Sequence, residues 1–353
     1  MADIKNYNAA NPWVSFCLST YKRATFLKET LQIIKMQTFP HFEVVVSDND
    51  PEQSARLVVE EMNDPRFKYF ANIENLGMIK SFNKSIERST GDYIVMMADD
   101  DPPYPSMIET IYELIQKYPA YGMYSGCGDW IIGNEYAAKT LKLDIGIHSK
   151  LLPGSKENEV IIIEKNDFVK KLVYGNFSRT FLLWSCAVVR KDILVRINGV
   201  PDYGSELLGD FAYIITLSSQ QGMVFINKAV GGQYIHGKNF GYEFSAVRQK
   251  YINTPTSFFK YIESKLSKND NWPETEKLIW TFIGRSWVEY SLMLFHSFKD
   301  NKEGKKDFFK AFNEVFSNKK LTKWKYKFYI KAYSIGLFKV LIKVKESFTK
   351  NEK

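Results

Sequence analysis

Asp99, Asp100 and Asp101 stand in a row directly after the apolar run Tyr93-Ile-Val-Met-Met-Ala98. Three adjacent carboxylates repel one another, and a compact site tolerates them best when a cation neutralises them. Oxygen ligands of this kind favour the hard divalent cations Mg²⁺ or Mn²⁺. Two further apolar runs also end in polar clusters. Val14-Ser-Phe-Cys-Leu18 leads into Ser19, Thr20, Tyr21, Lys22 and Arg23, and Phe42-Glu-Val-Val-Val-Ser47 leads into Asp48, Asn49 and Asp50. The three ends together carry hydrogen-bond donors, an aromatic ring and five carboxylates. Aspartate also favours turns and helix N-caps, and Asp48–Asp50 read equally as such a cap.

These clusters need elements to hold them. Residues 14–20 read as a strand, and 24–37 as a helix with Phe26, Leu27, Leu31, Ile33 and Ile34 at helical spacing. The β-branched run 42–47 reads as a strand covered on both faces. A helix over 52–62, an extended stretch 67–71, a helix 76–88, a buried strand 92–97, a helix 104–118 and a short strand 121–125 follow. This alternation predicts an α/β fold: a doubly wound, mostly parallel central sheet flanked by helices. Ligands of such sheets bind outside the carboxyl ends of the strands, where the polar clusters fall. From 127 to 205 the pattern is less regular, with a strand at 160–163, a helix at 166–174 and a strand at 182–189; a helix 207–220 and a strand 223–226 follow. Beyond 255 the chain reads as helical, with segments near 274–297, 305–316 and 321–347.

The chain has 353 residues, 45% of them hydrophobic and 25% charged, which excludes a disordered protein. Its three cysteines, Cys17, Cys127 and Cys186, are far apart and form no CxxC pair, so neither a disulfide framework nor a structural zinc is expected, and a reducing compartment is. The polar start of the sequence does not read as a signal peptide, and no apolar run approaches the length of a membrane span. Residues 301–353 contain fifteen Lys and five acidic residues, a net of +10, against +8 for the whole chain. The body is therefore nearly neutral and the tail basic, which argues against a body-wide nucleic-acid surface and for an anionic partner such as a membrane face at the tail.

Four segments in this order resemble family 2 glycosyltransferases of the GT-A fold. They are Val14-Ser-Phe-Cys-Leu-Ser-Thr-Tyr-Lys-Arg23, Phe42-Glu-Val-Val-Val-Ser-Asp-Asn-Asp50, Asn75-Leu-Gly77 with Ser81-Phe-Asn83, and Gly91-Asp-Tyr-Ile-Val-Met-Met-Ala-Asp-Asp-Asp101, the last resembling the strand that leads into a DXD motif. The resemblance is dense over 13–120. It implies a GT-A domain over 1–255, with a nucleotide-binding half 13–126 and an acceptor half 127–255, followed by a helical basic extension 256–353. It implies transfer of a sugar, with inversion, from a nucleoside diphosphate donor (UDP foremost) to a hydroxyl of a saccharide acceptor, in polysaccharide biosynthesis. Ser19, Tyr21 and Asp48 would hold the base, Arg23 and Lys80 would face the nucleotide, Asp99 the ribose, and Asp100 the Mg²⁺ or Mn²⁺ on the diphosphate. Ala98 stands where the family often has the first Asp of Asp-x-Asp-Asp.

The same resemblance seeks a catalytic carboxylate at the start of a helix that ends in Gly. Leu208-Gly-Asp-Phe-Ala-Tyr-Ile-Ile-Thr-Leu-Ser-Ser-Gln-Gln-Gly222 has that shape and makes Asp210 the base, with Glu206 in reserve and Gly209 where the family has Glu. The competing reading of Asp210 is a helix cap. His236, in Tyr234-Ile-His236, is where a histidine often completes the metal site in this fold; a structural histidine is the alternative. Trp184 could stack on a sugar, but a core tryptophan is the plainer reading. In the tail, Lys323, Lys327 and Lys331 share one i, i+4 row and Lys339 and Lys343 another, among Trp324, Phe328, Ile335, Leu337, Leu341, Val344 and Phe348. That pattern fits interfacial membrane binding at the inner face of a cell membrane, with a lipid-linked acceptor by analogy, or else a packed helix with a solvated Lys face.

Gly126-Cys-Gly128 is a weak echo of a dinucleotide loop and lacks the rest of that motif. Three rival functions remain: a sugar nucleotidyltransferase, which would want a Gly-rich basic loop where Ser19–Arg23 has no Gly; a non-catalytic nucleotide-sugar-binding protein at a membrane surface; and nucleic-acid binding through the tail, which predicts a salt-sensitive affinity lost on deleting 301–353.

Overall fold

The computed structural model describes residues 7–8, 11–141, 143–175, 177, 182–236, 239, 244–297 and 302–335. Its strands are β1 (Val14–Thr20), β2 (Phe42–Asp48), β3 (Phe67–Ala71), β4 (Tyr93–Ala98), β5 (Met123–Ile132), β6 (Gly146–His148), β7 (Val160–Ile163), β8 (Ala187–Arg190) and β9 (Met223–Ile235). Its helices are α1 (Ala24–Lys35), α2 (Arg56–Glu60), α3 (Met78–Arg88), α4 (Met107–Lys117), α5 (Glu135–Leu141), α6 (Phe168–Tyr174), α7 (Lys191–Arg196), α8 (Gly209–Gln221), α9 (Phe244–Leu266), α10 (Trp272–Ser297), α11 (Lys302–Phe316) and α12 (Thr322–Ser334).

All nine described strands form one sheet in the order β3-β2-β1-β4-β8-β5-β9-β7, with β6 paired to β5. β1 lies between β2 and β4 and runs parallel to both. Every residue of β2 is buried, as its continuous β-branched run requires when helices cover both faces. On α1, Leu27, Leu31 and Ile34 are buried at i, i+4 and i+7, the stripe a covering helix needs. The register aligns Ser19 with both Ser47 and Ala98, and Thr20 with Asp48. The three polar clusters therefore end at one level of the sheet.

The parallel expectation holds from β3 to β4, and the second half is mixed. β8 runs antiparallel to β4 and β5, and β7 antiparallel to β9. The expected strand over 182–189 is shorter than its apolar run: Leu182 and Leu183 are buried in irregular chain, Trp184–Cys186 form a 3-10 turn, and only Ala187–Arg190 pair. The expected strand at 223–226 instead continues to Ile235, parallel to a long, bulged β5. Gly126 and Gly128 lie within β5, so they form no phosphate loop. All three cysteines are buried and form no disulfide.

The chain forms two units. One holds the chain through Asp202 together with Leu208–Lys238; the other holds Tyr203–Leu207 and the chain from Asn239 onward. Position 255, the expected boundary, falls inside α9, which carries Pro255 internally. The second unit is helical, as expected. Its core is aromatic: Phe258, Trp287, Phe295, Phe308, Phe312 and Phe328 are buried, and the Phe312 and Phe328 rings are 4.5 Å apart. Of the helix expected over 321–347, α12 is described; Leu337, Lys339, Leu341, Lys343, Val344 and Phe348 lie outside the described residues. Phe328 is buried and Trp324 half-buried, so neither belongs to an outward apolar face.

Candidate functional site

The first carboxylate after β4 is held by the end of β1. Thr20 Oγ1 donates to Asp99 Oδ2 (2.8 Å), Arg23 Nη1 pairs with Asp99 Oδ1 (2.8 Å), and Thr30 Oγ1 donates to the Asp99 carbonyl (2.9 Å). Burial raises the Asp99 carboxyl to about 6, with Arg23 pulling against it. Asp100 Oδ2 is shared between Arg23 Nη2 and His236 Nε2, the latter at 3.1 Å. Burial works to raise the Asp100 carboxyl, but His236 and Arg23 together hold it below the usual carboxylate range. Arg23 thus bridges two neighbouring carboxylates, its guanidinium 4.9 Å from the Phe26 ring centre, and Phe26 also stacks on His236 at 4.4 Å. A fixed cation already sits where adjacent carboxylates call for one.

The segment after the carboxylates is docked on β9. Tyr104 N–H donates to the Val230 carbonyl (2.8 Å), and Gly232 N–H donates to the Pro102 carbonyl (3.0 Å). A Cβ on Gly231 would come 3.0 Å from the Pro102 carbonyl, so the close approach favours a glycine. This docking aligns the end of β4 with the end of β9, which carries His236.

Asp101 is buried and accepts from Ser185 Oγ (3.0 Å). Burial, and after it the charges of Asp100, Asp210 and Asp99, push its carboxyl well above the ordinary range, while Ser185 pulls it down. Asp210 is therefore close enough for its charge to bear on Asp101. It lies in the first turn of α8 and accepts the Trp184 backbone N–H at 2.8 Å. Burial raises its carboxyl to about 6, against the pull of that hydrogen bond. Leu208, just before the helix, has a left-handed φ of +66°, a strained conformation of the kind found near functional groups.

Trp184 is a core residue, as the plainer reading held: it is buried and packs edge-on against Phe82 at 5.6 Å. It also explains Gly209. A Cβ there would stand 3.2 Å from the Trp184 ring. Gly209→Glu is expected to destabilise the protein by about 1–3 kcal/mol through overpacking and a buried charge, and to lower activity by shifting Asp210. A thermal melt and a rate measurement check it, and an unchanged midpoint would contradict it.

The remaining expected residues are less engaged. Ser19 is half-buried at the end of β1, and Tyr21 is 43% exposed with Lys22 over its ring at 5.7 Å. Asp48 is fully buried. Its Oδ1 accepts from Asp50 N–H (2.9 Å), and its Oδ2 accepts from Ala55 N–H (3.1 Å) and Tyr69 OH (3.0 Å). In this arrangement it braces the loop after β2. Lys80 is exposed on α3 and makes no ion pair among the described residues. Glu206 belongs to the second unit, where it pairs with Lys250 at 2.5 Å.

Sequence reasoning missed a buried polar network beneath the nucleotide half. Asn72 Nδ2 donates to Ser47 Oγ (2.9 Å) and Asn49 Oδ1 (3.0 Å), Leu76 N–H donates to Asn49 Oδ1 (3.3 Å), and Arg88 reaches Asn72 Oδ1 (3.2 Å). Asn49 Nδ2 also donates to the Gly77 carbonyl (3.2 Å), fixing the Asn75–Gly77 segment. The only sequence signal was the density of Asn and Ser at strand ends.

Asp100 Oδ2 and His236 Nε2 offer an oxygen and a nitrogen close enough to reach one divalent cation. Among the described residues no group of three or more His, Cys, Asp or Glu could hold a metal. Asp100 completed by phosphate oxygens and water is the kind of set Mg²⁺ or Mn²⁺ takes, with His236 as a further nitrogen donor within reach, so these residues fit a divalent cation carried in with a diphosphate.

The chain is similar in sequence and fold to known glycosyltransferases. A Haemophilus influenzae protein described as an uncharacterized glycosyltransferase is 26% identical over 194 residues, 49% of this chain and 59% of that protein. The Campylobacter jejuni GalNAc(5)-diNAcBac-PP-undecaprenol beta-1,3-glucosyltransferase is 24% identical over 145 residues, 39% of this chain and 47% of that protein. The chain thus spans about half the length of these curated relatives. Among solved structures, S. aureus TarS 1-349 in complex with UDP-GlcNAc superposes with a TM-score of 0.60 at 13% identity, covering 92% of each chain, and shares the fold. The sequence model of Glycosyl transferase family 2 matches residues 15–197, from β1 through α7, and with it the chain belongs to that family.

Proposed function

We propose that the protein is an inverting glycosyltransferase that moves a sugar from a nucleoside diphosphate, UDP foremost, to a hydroxyl of a saccharide acceptor in polysaccharide biosynthesis. The observation that supports this reading most is the convergence of two features at the carboxyl end of β4. Asp99 and Asp100 stand with Arg23 and His236 on one side, and Asp210, raised to about 6, stands within electrostatic reach of Asp101 on the other.

In this mechanism Tyr21 and Ser19 receive the base and Asp99 the ribose. Asp100 and His236 would hold Mg²⁺ or Mn²⁺, which would stabilise charge on the departing diphosphate. Arg23 lies against the same carboxylates, placed to turn toward phosphate oxygens, and Lys80 supplies positive potential from the surface of α3. Asp210 removes the acceptor proton as its oxygen attacks the anomeric carbon. The Trp184 N–H keeps the Asp210 carboxylate oriented, and its raised pKa keeps it basic while still ionised at neutral pH.

A lipid-linked saccharide is the acceptor to test first, because the C. jejuni relative is named for an undecaprenol-diphosphate substrate. Among the described residues no helix is long and apolar enough to cross a membrane. The proposed working place is the inner face of a cell membrane, held through the basic C-terminal helices, whose Lys excess suits an anionic surface.

The test is thermal unfolding with UDP, GDP, dTDP and CMP, each with and without Mn²⁺, on the wild type and Asp100→Ala. A ligand at about 100 times its dissociation constant adds about 2.7 kcal/mol. UDP is expected to raise the midpoint only with Mn²⁺, and Asp100→Ala to lose the response. No shift with any nucleotide would sink the donor assignment.

A further inference from the structure

The outward face of α12 is unlike that of an ordinary packed helix. Leu321, Phe328 and Ala332 are fully buried and define the inward direction. The opposite direction carries Tyr326, Ile330 and Tyr333, at 69%, 63% and 68% exposure, spaced i, i+4 and i+7. A helix that only packs on its own protein would place polar residues there. Lys323 and Lys327 lie on the same exposed arc, beside the stripe, and make no ion pair among the described residues. Lys320 and Lys331, by contrast, are paired with Glu276 and Glu289. From 315 to 345 the sequence holds nine Lys and no Asp or Glu.

We propose that this face of α12 binds a lipid bilayer carrying anionic headgroups. Tyr326, Ile330 and Tyr333 enter the boundary between headgroups and acyl chains, and Lys323 and Lys327 meet the headgroup phosphates. Tyrosine suits that depth because its ring is apolar and its hydroxyl polar. An apolar stripe flanked by lysines combines the two attractions an interfacial helix uses. Nucleic acid would satisfy the lysines and leave the stripe in water. A second copy would cover the stripe and bring like-charged lysine rows together. The inference deepens the membrane placement proposed above and rests on it, not on the sugar-transfer chemistry.

The experiment is sedimentation of the full chain with vesicles of phosphatidylcholine alone, or of phosphatidylcholine and phosphatidylglycerol in equal parts. Tyr326→Ser/Ile330→Ser/Tyr333→Ser and Lys323→Gln/Lys327→Gln are compared with the wild type. The wild type is expected on the anionic vesicles and to weaken with added salt. The serine variant should bind about tenfold or more weakly, and the glutamine variant about fivefold more weakly for each lysine removed. Circular dichroism melts and the UDP-induced shift should stay at wild-type values in both, which separates failure here from failure of the donor reading. Equal binding by the serine variant would overturn the proposal. So would no binding to anionic vesicles, or a drop in solution mass on making the serine variant, which would mark a dimer face.

Discussion

Asp210→Asn is expected to lower kcat about a thousandfold while leaving the UDP-induced thermal shift intact. The size follows from the usual worth of a positioned general base, about 10² to 10⁴ in rate. The selectivity follows from geometry. Asp210 is held by the Trp184 N–H at the start of α8, apart from the Arg23–Asp100–His236 cluster assigned to the donor diphosphate. Asparagine keeps the size and still accepts that N–H, so the fold should survive.

The pH profile sharpens the prediction. Burial raises the Asp210 carboxyl to about 6. A base must be ionised, so the wild-type rate should rise with pH, reach half its plateau near 6, and be flat above about 7. The residual rate of the asparagine variant should lack that limb. Asp101, another buried carboxyl of the site, accepts a hydrogen bond from Ser185 Oγ, and burial raises it well above the ordinary range, which favours its protonated form and makes it the poorer base. If the limb persisted in Asp210→Asn and vanished in Asp101→Asn, the base would be Asp101. A loss of UDP binding in Asp210→Asn would instead move Asp210 into the donor site.

What was legible in the sequence follows from where chemistry is local. β1, β2 and β4 announce themselves as apolar, β-branched runs ending in polar clusters, and the register places those ends side by side. The placement of His236 was legible because it follows a strand, and it does stand directly after β9, beside Asp100. The 182–190 segment was not, because an apolar run does not reveal where the chain leaves a sheet: Leu182–Cys186 is buried without pairing, and its Trp184 backbone N–H does the orienting. Backbone donors carry no sequence signal. Gly209 looked like a departure from the family and becomes intelligible only beside the Trp184 ring. The Arg23 bridge needed tertiary contact between chain positions far apart. In α12, spacing alone could not tell the buried Phe328 from the exposed Ile330, since both lie within an aromatic, lysine-rich stretch.

Arg23→Gln is expected to cut kcat/KM about a hundredfold and to change how the protein responds to divalent cations. In the wild type the guanidinium pairs with Asp99 at 2.8 Å and with Asp100. Removing one partner of a buried ion pair costs about 3–5 kcal/mol, because the other charge is left buried. The Arg23 side chain is 34% exposed, so water repays part of that cost, and about 1–2 kcal/mol is the reasonable expectation. For a unit of this size that is a drop of about 3–6 °C in the midpoint. Glutamine can donate to one carboxylate and neutralise neither, so Asp99, Asp100 and Asp101 then repel with less compensation. Mn²⁺ should therefore raise the midpoint of the variant more than that of the wild type, where Arg23 competes with it for Asp100. The direction of that difference is the decisive reading. If Mn²⁺ shifts the two proteins equally, Arg23 and the cation do not share a carboxylate, and Asp100 is not the metal ligand. If it rescues the variant's midpoint but not its rate, Arg23 has a second task that a cation cannot replace: a planar, two-pronged contact with the departing diphosphate, which a point charge at Asp100 does not reproduce.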